Sequence, residues 1–246
     1  MNEALSVVII THNEEKNIVR CLKSVQWANE ILVIDSGSQD RTCDLAREIG
    51  ARVISQPWLG FGPQKRFATA QAKHNWVLSL DGDEWLSPEL SQSIQDLLAS
   101  TPQKSAYQVR RRHYFMGKLL RHGISYPDDI TRLYHREKAN WNENPVHESV
   151  QYQGSLSFVK GDLLHESAPS LDRYIAKLNQ YTTIQSEQKK THMIHFLHLI
   201  LLPCWQFLRG YVFKLGFMDG VPGLCHNVIA AFNCFLRYAK RKERQH

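Results

Sequence analysis

Three acids crowd into four positions at the end of an apolar run in NWVLSLDGDEW, residues 75–85. Trp76, Val77, Leu78 and Leu80 read as a buried strand, and Asp81, Gly82, Asp83 and Glu84 follow without a spacer. Asp and Gly are ordinary turn residues. They also make a cation site when a glycine lets the chain bend and two hard carboxylate oxygens are held close together. Two other polar clusters have the same setting. THNEE, with Thr11, Asn13 and Glu14, follows the β-branched run LSVVII, and DSGSQD, with Asp35, closes the run EILVID. Further along, NPVHESV and LLHES each place His beside Glu: His147 with Glu148, and His165 with Glu166.

The elements that must position these groups alternate. EEKNIVRCLKSV carries Ile18, Leu22 and Val25 at helical spacing after the first strand. SQDRTCDLAREIG predicts a helix stopped by Gly50, and ARVIS predicts a third strand. A loop, QPWLGFGPQ, leads to a helix KRFATAQAK and then to the fourth strand, WVLSL. SPELSQSIQDLLAS predicts a helix with Ser87 as N-cap and Pro88 at its first position. Alternation of this kind predicts an α/β fold with a mostly parallel sheet flanked by helices. Ligands of such sheets lie beyond the carboxyl ends of the strands. The three polar clusters therefore point at one edge, which a set of unrelated turns would not require. Residues 106–170 are less regular. AYQVRRRHYF and ITRLYHR read as strands with basic side chains on one face, and a solvated edge is the plain reading of Arg110, Arg111 and Arg112. From about residue 171 the pattern is helical.

Composition bounds the rest. With 246 residues, 43% of them hydrophobic, the chain can bury a core. Cys21, Cys43, Cys204, Cys225 and Cys234 are scattered without a CxxC pair, which suggests a reduced, cytosolic protein and neither a zinc ribbon nor a disulfide framework. No basic region precedes the short first apolar run, so no secretory signal is expected. Residues 1–184 hold 21 Lys and Arg against 21 Asp and Glu, whereas residues 185–246 hold 9 against 3. The whole +6 excess thus sits in the last, most apolar quarter, a combination that suits an anionic membrane surface and not nucleic acid. There is no GxxxxGK[ST], and no GxGxxG follows the first strand. Phosphatases that use two aspartates place the pair after their first strand, and here it follows the fourth.

VVIITHNEEKNIVRCLKSV, ILVIDSGSQDRT and WVLSLDGDE together resemble the nucleotide-sugar half of family 2 glycosyltransferases, which have the GT-A fold. DDITRLYHR, NPVHESV, LLHES and GFMDGVPGL resemble a narrower bacterial group, the lipopolysaccharide inner-core β-1,4-glucosyltransferases that modify heptose. One departure is His12, where the family usually has Tyr. The resemblance implies a nucleotide-sugar-binding part over residues 1–105, an acceptor-binding and catalytic part over 106–170, and a helical membrane-docking region over 171–246. It implies donor contacts from Thr11, Asn13, Glu14, Asp35, Arg66 and Asp81, with Asp35 accepting from uracil or ribose. It implies Mg²⁺ or Mn²⁺ held by Asp83, with Asp81 and His165 as further ligands, bridging the diphosphate of UDP-glucose. Glu148 is the implied general base, with His147, Asp128 and Asp129 as rivals. Glu84 is expected to serve the N-terminus of the following helix. The implied acceptor is a heptose of the lipid A core. Another lipid-linked or polysaccharide acceptor, or a non-catalytic sugar-nucleotide scaffold, is the alternative.

Residues 191–208 contain no formal charge and approach the length of a membrane span. His192, His195, His198, Pro203 and Gln206 interrupt them and Arg209 closes them, so an interfacial helix at the cytoplasmic face of the bacterial inner membrane is the expectation. RYAKRKER near the end would supply cations for anionic lipid.

Overall fold

The computed structural model describes residues 3–143, 148–166, 171–188 and 196–244. Strand β1 (Leu5–Thr11) is buried along its whole length. Leu5, Val7 and Ile9 pack into one apolar cluster, and Val8 and Ile10 into another on the opposite face. A strand covered on both sides needs no polar alternation, which explains the unbroken run LSVVII. Helix α1 (Ile18–Lys23) follows, then β2 (Glu30–Asp35), α2 (Thr42–Glu48) and β3 (Arg52–Ser55). Helix α3 (Phe61–Ala70) leads to β4 (Trp76–Asp81), β5 (Glu84–Leu86) and α4 (Pro88–Ala99). The strands run in the order β3-β2-β1-β4, all parallel. Ile18, Cys21 and Leu22 of α1 and Leu90, Ile94 and Leu98 of α4 cover one face, and Ala68 of α3 packs on the other.

Strands β6 (Ala106–Phe115), β7 (Lys118–Leu119) and β8 (Asp128–His135) come next, then β9 (Ala139–Trp141), β10 (Val150–Tyr152) and β11 (Leu156–Glu166). The sheet continues from β4 as β8-β6-β11-β5, with β7 on β6, while β9 and β10 form a separate two-stranded sheet. β8 is antiparallel to β4 and β5 to β11, so the sheet is mixed beyond its parallel half. One helix start differs from the sequence reading. Helix α3 starts at Phe61 and not at Lys65, because Pro63 falls in its first turn, where a missing N–H costs nothing. Helix α4 begins as expected, its cap Ser87 accepting from the Leu90 N–H at 3.2 Å.

The chain divides into two compact units, residues 1–111 with 129–165, and 112–128 with 166–246. The segment 106–170 is therefore shared between the two. In the second unit, α5 (Leu171–Gln188), α6 (Phe196–Leu208) and α7 (Gly220–Glu243) pack with α7 as the common partner. A π-helical turn, Arg209–Phe213, extends α6, and a 3-10 turn, Gly216–Asp219, precedes α7. The run Phe196–Phe213 is 18 residues long and apolar enough by length and composition to cross a membrane, and only 6% of it is buried. The basic end of α7 is partly committed to its neighbour. Lys240 Nζ donates to the Asn179 carbonyl at 2.7 Å and to Thr182 Oγ1 at 2.8 Å, and Arg241 donates to the Gln185 carbonyl at 3.3 Å.

Strand β11 crosses the start of α4 at close range. The Ser87 N–H donates to the Asp162 carbonyl at 2.9 Å, and Ser87 Oγ accepts from the Asp162 N–H at 3.1 Å. Gly161, at φ +106°, leaves no room for a side chain, since a Cβ there would lie 2.4 Å from the Leu90 nitrogen. Gly161→Ala is expected to cost about 2–4 kcal/mol from overpacking and an unfavourable φ. Its melting temperature should fall by about 5–15 °C. A thermal melt superimposable on that of the parent would show that β11 does not approach α4 this closely.

Candidate active site

Strand register brings the polar clusters together. Thr11 pairs with Asp35 across β1 and β2, and Ile10 pairs with Asp81 across β1 and β4. The loops after β1 and β2 are then cross-linked. Asp35 Oδ2 accepts from the Gly37 and Ser38 N–H groups, both at 2.9 Å, and Ser38 Oγ accepts from the Asn13 N–H at 2.8 Å. Asn13 Oδ1 accepts from the Gln39 N–H at 2.8 Å, and the Glu14 N–H donates to Thr42 Oγ1 at 2.8 Å. Asp35 thus folds its own loop with both oxygens, Oδ1 accepting from Ser38 Oγ, and Asn13 sits in the left-handed region at φ 54°. Thr11 Oγ1 is buried at the same edge. A Cβ on Gly82 would lie 2.7 Å from it, so only glycine lets the loop after β4 close over β1.

The strand-end acids are neutralised by the chain itself. Lys65 of α3 is 2% exposed, and its Nζ lies 3.1 Å from Asp81 Oδ1 and 3.0 Å from Glu148 Oε1. Arg132 of β8 donates to Asp81 Oδ2 at 3.0 Å and to Glu84 Oε1 at 2.7 Å. Glu84, fully buried, also accepts from Arg111 at 3.3 Å and from the Asp81 N–H at 3.1 Å. Trp141 floors the pair of cations, 4.7 Å from Lys65 Nζ and 5.6 Å from the Arg132 guanidinium. Its indole N–H donates to Tyr134 Oη at 2.9 Å, and burial pushes the Tyr134 hydroxyl up to about 12. Burial alone would raise the Asp81 carboxyl, but Lys65 and Arg132 hold it well below the usual carboxylate range.

Asp83 faces β11. Its Oδ2 lies 3.2 Å from His165 Nε2, with both side chains largely buried. A carboxylate beside an imidazole is a donor pair for a divalent cation, and Mg²⁺ and Mn²⁺ are commonly held by one or two carboxylates with substrate phosphates and water completing the shell. Among the described residues no group of three or more His, Cys, Asp and Glu gathers into a closed cage. One carboxylate and one imidazole fit a divalent cation that takes its remaining ligands from outside this pair.

Several expected residues are placed differently. Arg66 points away, to Glu143 at 3.3 Å on the surface, and its neighbour Lys65 enters the site instead. Glu84 does not serve the helix that follows. It is buried between Arg132 and Arg111 because its place at the start of β5 turns it inward, and Ser87 already caps α4. Arg110 and Arg111 are not a solvated edge, since Arg110 pairs with Asp129 at 2.9 Å and Arg111 with Glu84. Asp128 lies 3.3 Å from His113. His147, the rival base, lies outside the described residues. Lys65 and Arg132 were not expected. Phe61, Lys65, Ala68 and Thr69 form one helical stripe, and with the helix begun at Phe61 that spacing turns Lys65 inward.

A family model described as Glycosyl transferase family 2 matches residues 6–160. An uncharacterized glycosyltransferase of Rickettsia typhi is 32% identical over 97% of this chain and 87% of its own length. The lipopolysaccharide core biosynthesis glycosyltransferase LpsC of Rhizobium meliloti is 32% identical over 98% of this chain and 92% of its own. Among solved structures, S. aureus TarS 1–349 aligns with a TM-score of 0.49 at 14% identity, over 98% of this chain and 88% of that one. The chain belongs to glycosyl transferase family 2, and its mixed sheet flanked by helices is GT-A-like.

Removing one member of the buried network should expose its electrostatics. Arg132→Met removes the guanidinium that Asp81 and Glu84 share, leaving Arg111 beside Glu84 and Lys65 beside Asp81. A loss of about 3–5 kcal/mol is expected, the usual cost of stranding a buried charge. Glu84→Met combined with Arg132→Met should recover most of it in a double-mutant cycle read by urea unfolding. Additive losses in the double variant would mean that the two side chains do not interact.

Proposed function

We propose that this family 2 enzyme is a metal-dependent, inverting hexosyltransferase that moves glucose from UDP-glucose to a heptose of the lipopolysaccharide inner core. The observation that carries the reading is Lys65, whose single ammonium lies within 3.1 Å of both the strand-end Asp81 and the distant Glu148. That cation holds a candidate base beside the candidate donor site. The resemblance to LpsC along nearly the whole of both chains supports the acceptor class.

Each residue then has a task that its chemistry allows. Asp35, at the end of β2, accepts from a ribose hydroxyl or the uracil N–H, while Thr11, Asn13 and Glu14 frame the same edge. Asp81 offers oxygen to ribose or cation while Lys65 and Arg132 balance its charge. Asp83 and His165 would hold Mg²⁺ or Mn²⁺, which when bound supplies the positive charge that stabilises the leaving diphosphate. Glu148 takes the proton of the acceptor hydroxyl as that oxygen attacks the anomeric carbon from the face opposite the leaving group. Lys65 keeps Glu148 oriented toward the reacting face. The second unit would lie on the cytoplasmic face of the inner membrane, with the exposed helix Phe196–Leu208 at the interface, where a lipid-linked acceptor is presented.

Transfer from UDP-glucose to a purified core acceptor, followed by mass spectrometry, tests the reading. Glu148→Gln should bind donor normally and turn over about 10²-fold to 10⁴-fold more slowly, the usual worth of a general base. Asp83→Ala should abolish transfer, and EDTA should do the same to the parent. Parental turnover in Glu148→Gln with loss in His147→Ala or Asp129→Asn would move the base to that residue. Full turnover in chelator would remove the metal.

A further inference from the structure

A cavity of about 620 Å³ lies wholly within the second unit. Arg112, Arg121, His122 and Lys214 line it together with Phe213 and Leu215, and no carboxylate is among the lining residues. Two acids of this unit stand near the lining in the chain, and both are engaged: Asp128, next to Pro127, lies 3.3 Å from His113 Nε2, and Asp219 is sequestered. Asp219 is 3% exposed and accepts from the Arg121 N–H at 3.0 Å and the His122 N–H at 2.8 Å, with His122 Nδ1 at 3.1 Å. It therefore holds the loop through the Arg121 backbone N–H, while Arg121 lines the cavity. The basic groups are also held in place. Lys214 Nζ donates to the Tyr126 carbonyl at 3.1 Å, the Arg112 guanidinium lies 5.3 Å from the Tyr126 ring centroid, and the Gly123 N–H donates to the Lys214 carbonyl at 2.9 Å. Leu215 closes the wall in a left-handed conformation, φ 57°, which an L side chain adopts only when its surroundings impose it.

Three permanent cations and an imidazole around one cavity call for a compact polyanion, and guanidinium forks match phosphate oxygens in particular. The other wall decides what the phosphate is attached to. Phe213 is 67% exposed and Leu215 45% exposed, and Phe213 ends the exposed apolar run that begins at Phe196. Phe217 and Met218 continue the apolar surface beyond Leu215. A ligand with a phosphate in the cavity would meet hydrocarbon on leaving it. We infer that this cavity binds the phosphate monoester headgroup of a membrane amphiphile, with the acyl chains along the Phe213–Met218 rim. The site adds to the proposed function and rests on its membrane-peripheral part, not on sugar transfer. It also gives the membrane a cationic contact point that does not depend on the tail of α7, where Lys240 is engaged with α5.

Co-sedimentation of the full chain with phosphatidylcholine vesicles tests it. One set contains phosphatidic acid, a phosphate monoester, and another contains phosphatidylglycerol, a diester, at matched surface charge. The parent is expected to bind the phosphatidic acid set about tenfold more tightly. Arg121→Ala with Lys214→Met should bring that ratio to about one, as the pocket's cations are lost, while generic binding declines only modestly. Arg121→Ala alone, at an exposed side chain, should lower the ratio with an unchanged circular dichroism melt. Equal binding of the two lipids by the parent would reduce the cavity to diffuse charge and overturn the inference. So would a ratio unchanged in the double variant. Displacement by inorganic phosphate at the lipid's own concentration would mark a soluble-phosphate site and reject the amphiphile. Failure to bind any vesicle would reject the membrane reading and this site together, whereas loss of sugar transfer in Glu148→Gln with the lipid ratio intact would leave the site standing.

Discussion

Two carboxylates three residues apart, Asp81 and Glu84, are withdrawn from water at the end of β4 and must be neutralised before this edge of the sheet can form. Unit charges at contact distance interact strongly once water is excluded, and an unpaired buried carboxylate is among the costliest groups a fold can carry. Arg132 answers both acids from β8, Lys65 reaches Asp81 from α3, and Arg111 adds a third cation from β6. The antiparallel pairing of β8 with β4 is thereby tied to the charge balance of the site. Because Asp81 is held below its unfolded pKa, its contribution to stability is present at neutral pH. It is lost as pH falls below the ordinary carboxylate range, about 3.9 for a free aspartate.

The same network joins the two halves of the proposed chemistry. Lys65 is shared between Asp81, which belongs to the donor edge, and Glu148, which follows β9 in the chain. Charge that shifts at one carboxylate is felt at the other through one ammonium. Asp83 meets His165 on the β11 side. Asp81 and Glu84 are thus held by Lys65 and Arg132, Asp83 meets an imidazole, and Gly82 is the residue that lets the loop carrying them close over β1.

Much of this architecture was legible in the sequence. β2 and β6 coincide with EILVID and AYQVRRRHYF, and the Ser87 cap and the shared edge of THNEE, DSGSQD and DGDE follow from local pattern and strand order. The counter-charges were not. Lys65 and Asp81 are 16 residues apart, Arg132 and Glu84 are 48 apart, and Lys65 and Glu148 are 83 apart. No local periodicity carries such pairings. Lys65 and Arg66 are also adjacent, so choosing the inward one depends on the helix phase, and that phase was set by Phe61 and Pro63 in a stretch that reads as loop. In the last quarter, composition indicated cations beside apolar surface, yet only the fold separates Lys240, spent on α5, from Lys214 at the cavity.

The link that Lys65 makes between base and donor edge can be measured in one experiment. Single-turnover transfer by Lys65→Met, with donor and acceptor saturating, isolates the chemical step from binding. Loss of a preorganised charge at the reacting edge should slow that step by about 10²-fold, with the protein still folded by circular dichroism. A single-turnover rate equal to that of the parent would contradict the account, because Glu148 would then act without the cation that holds it beside Asp81.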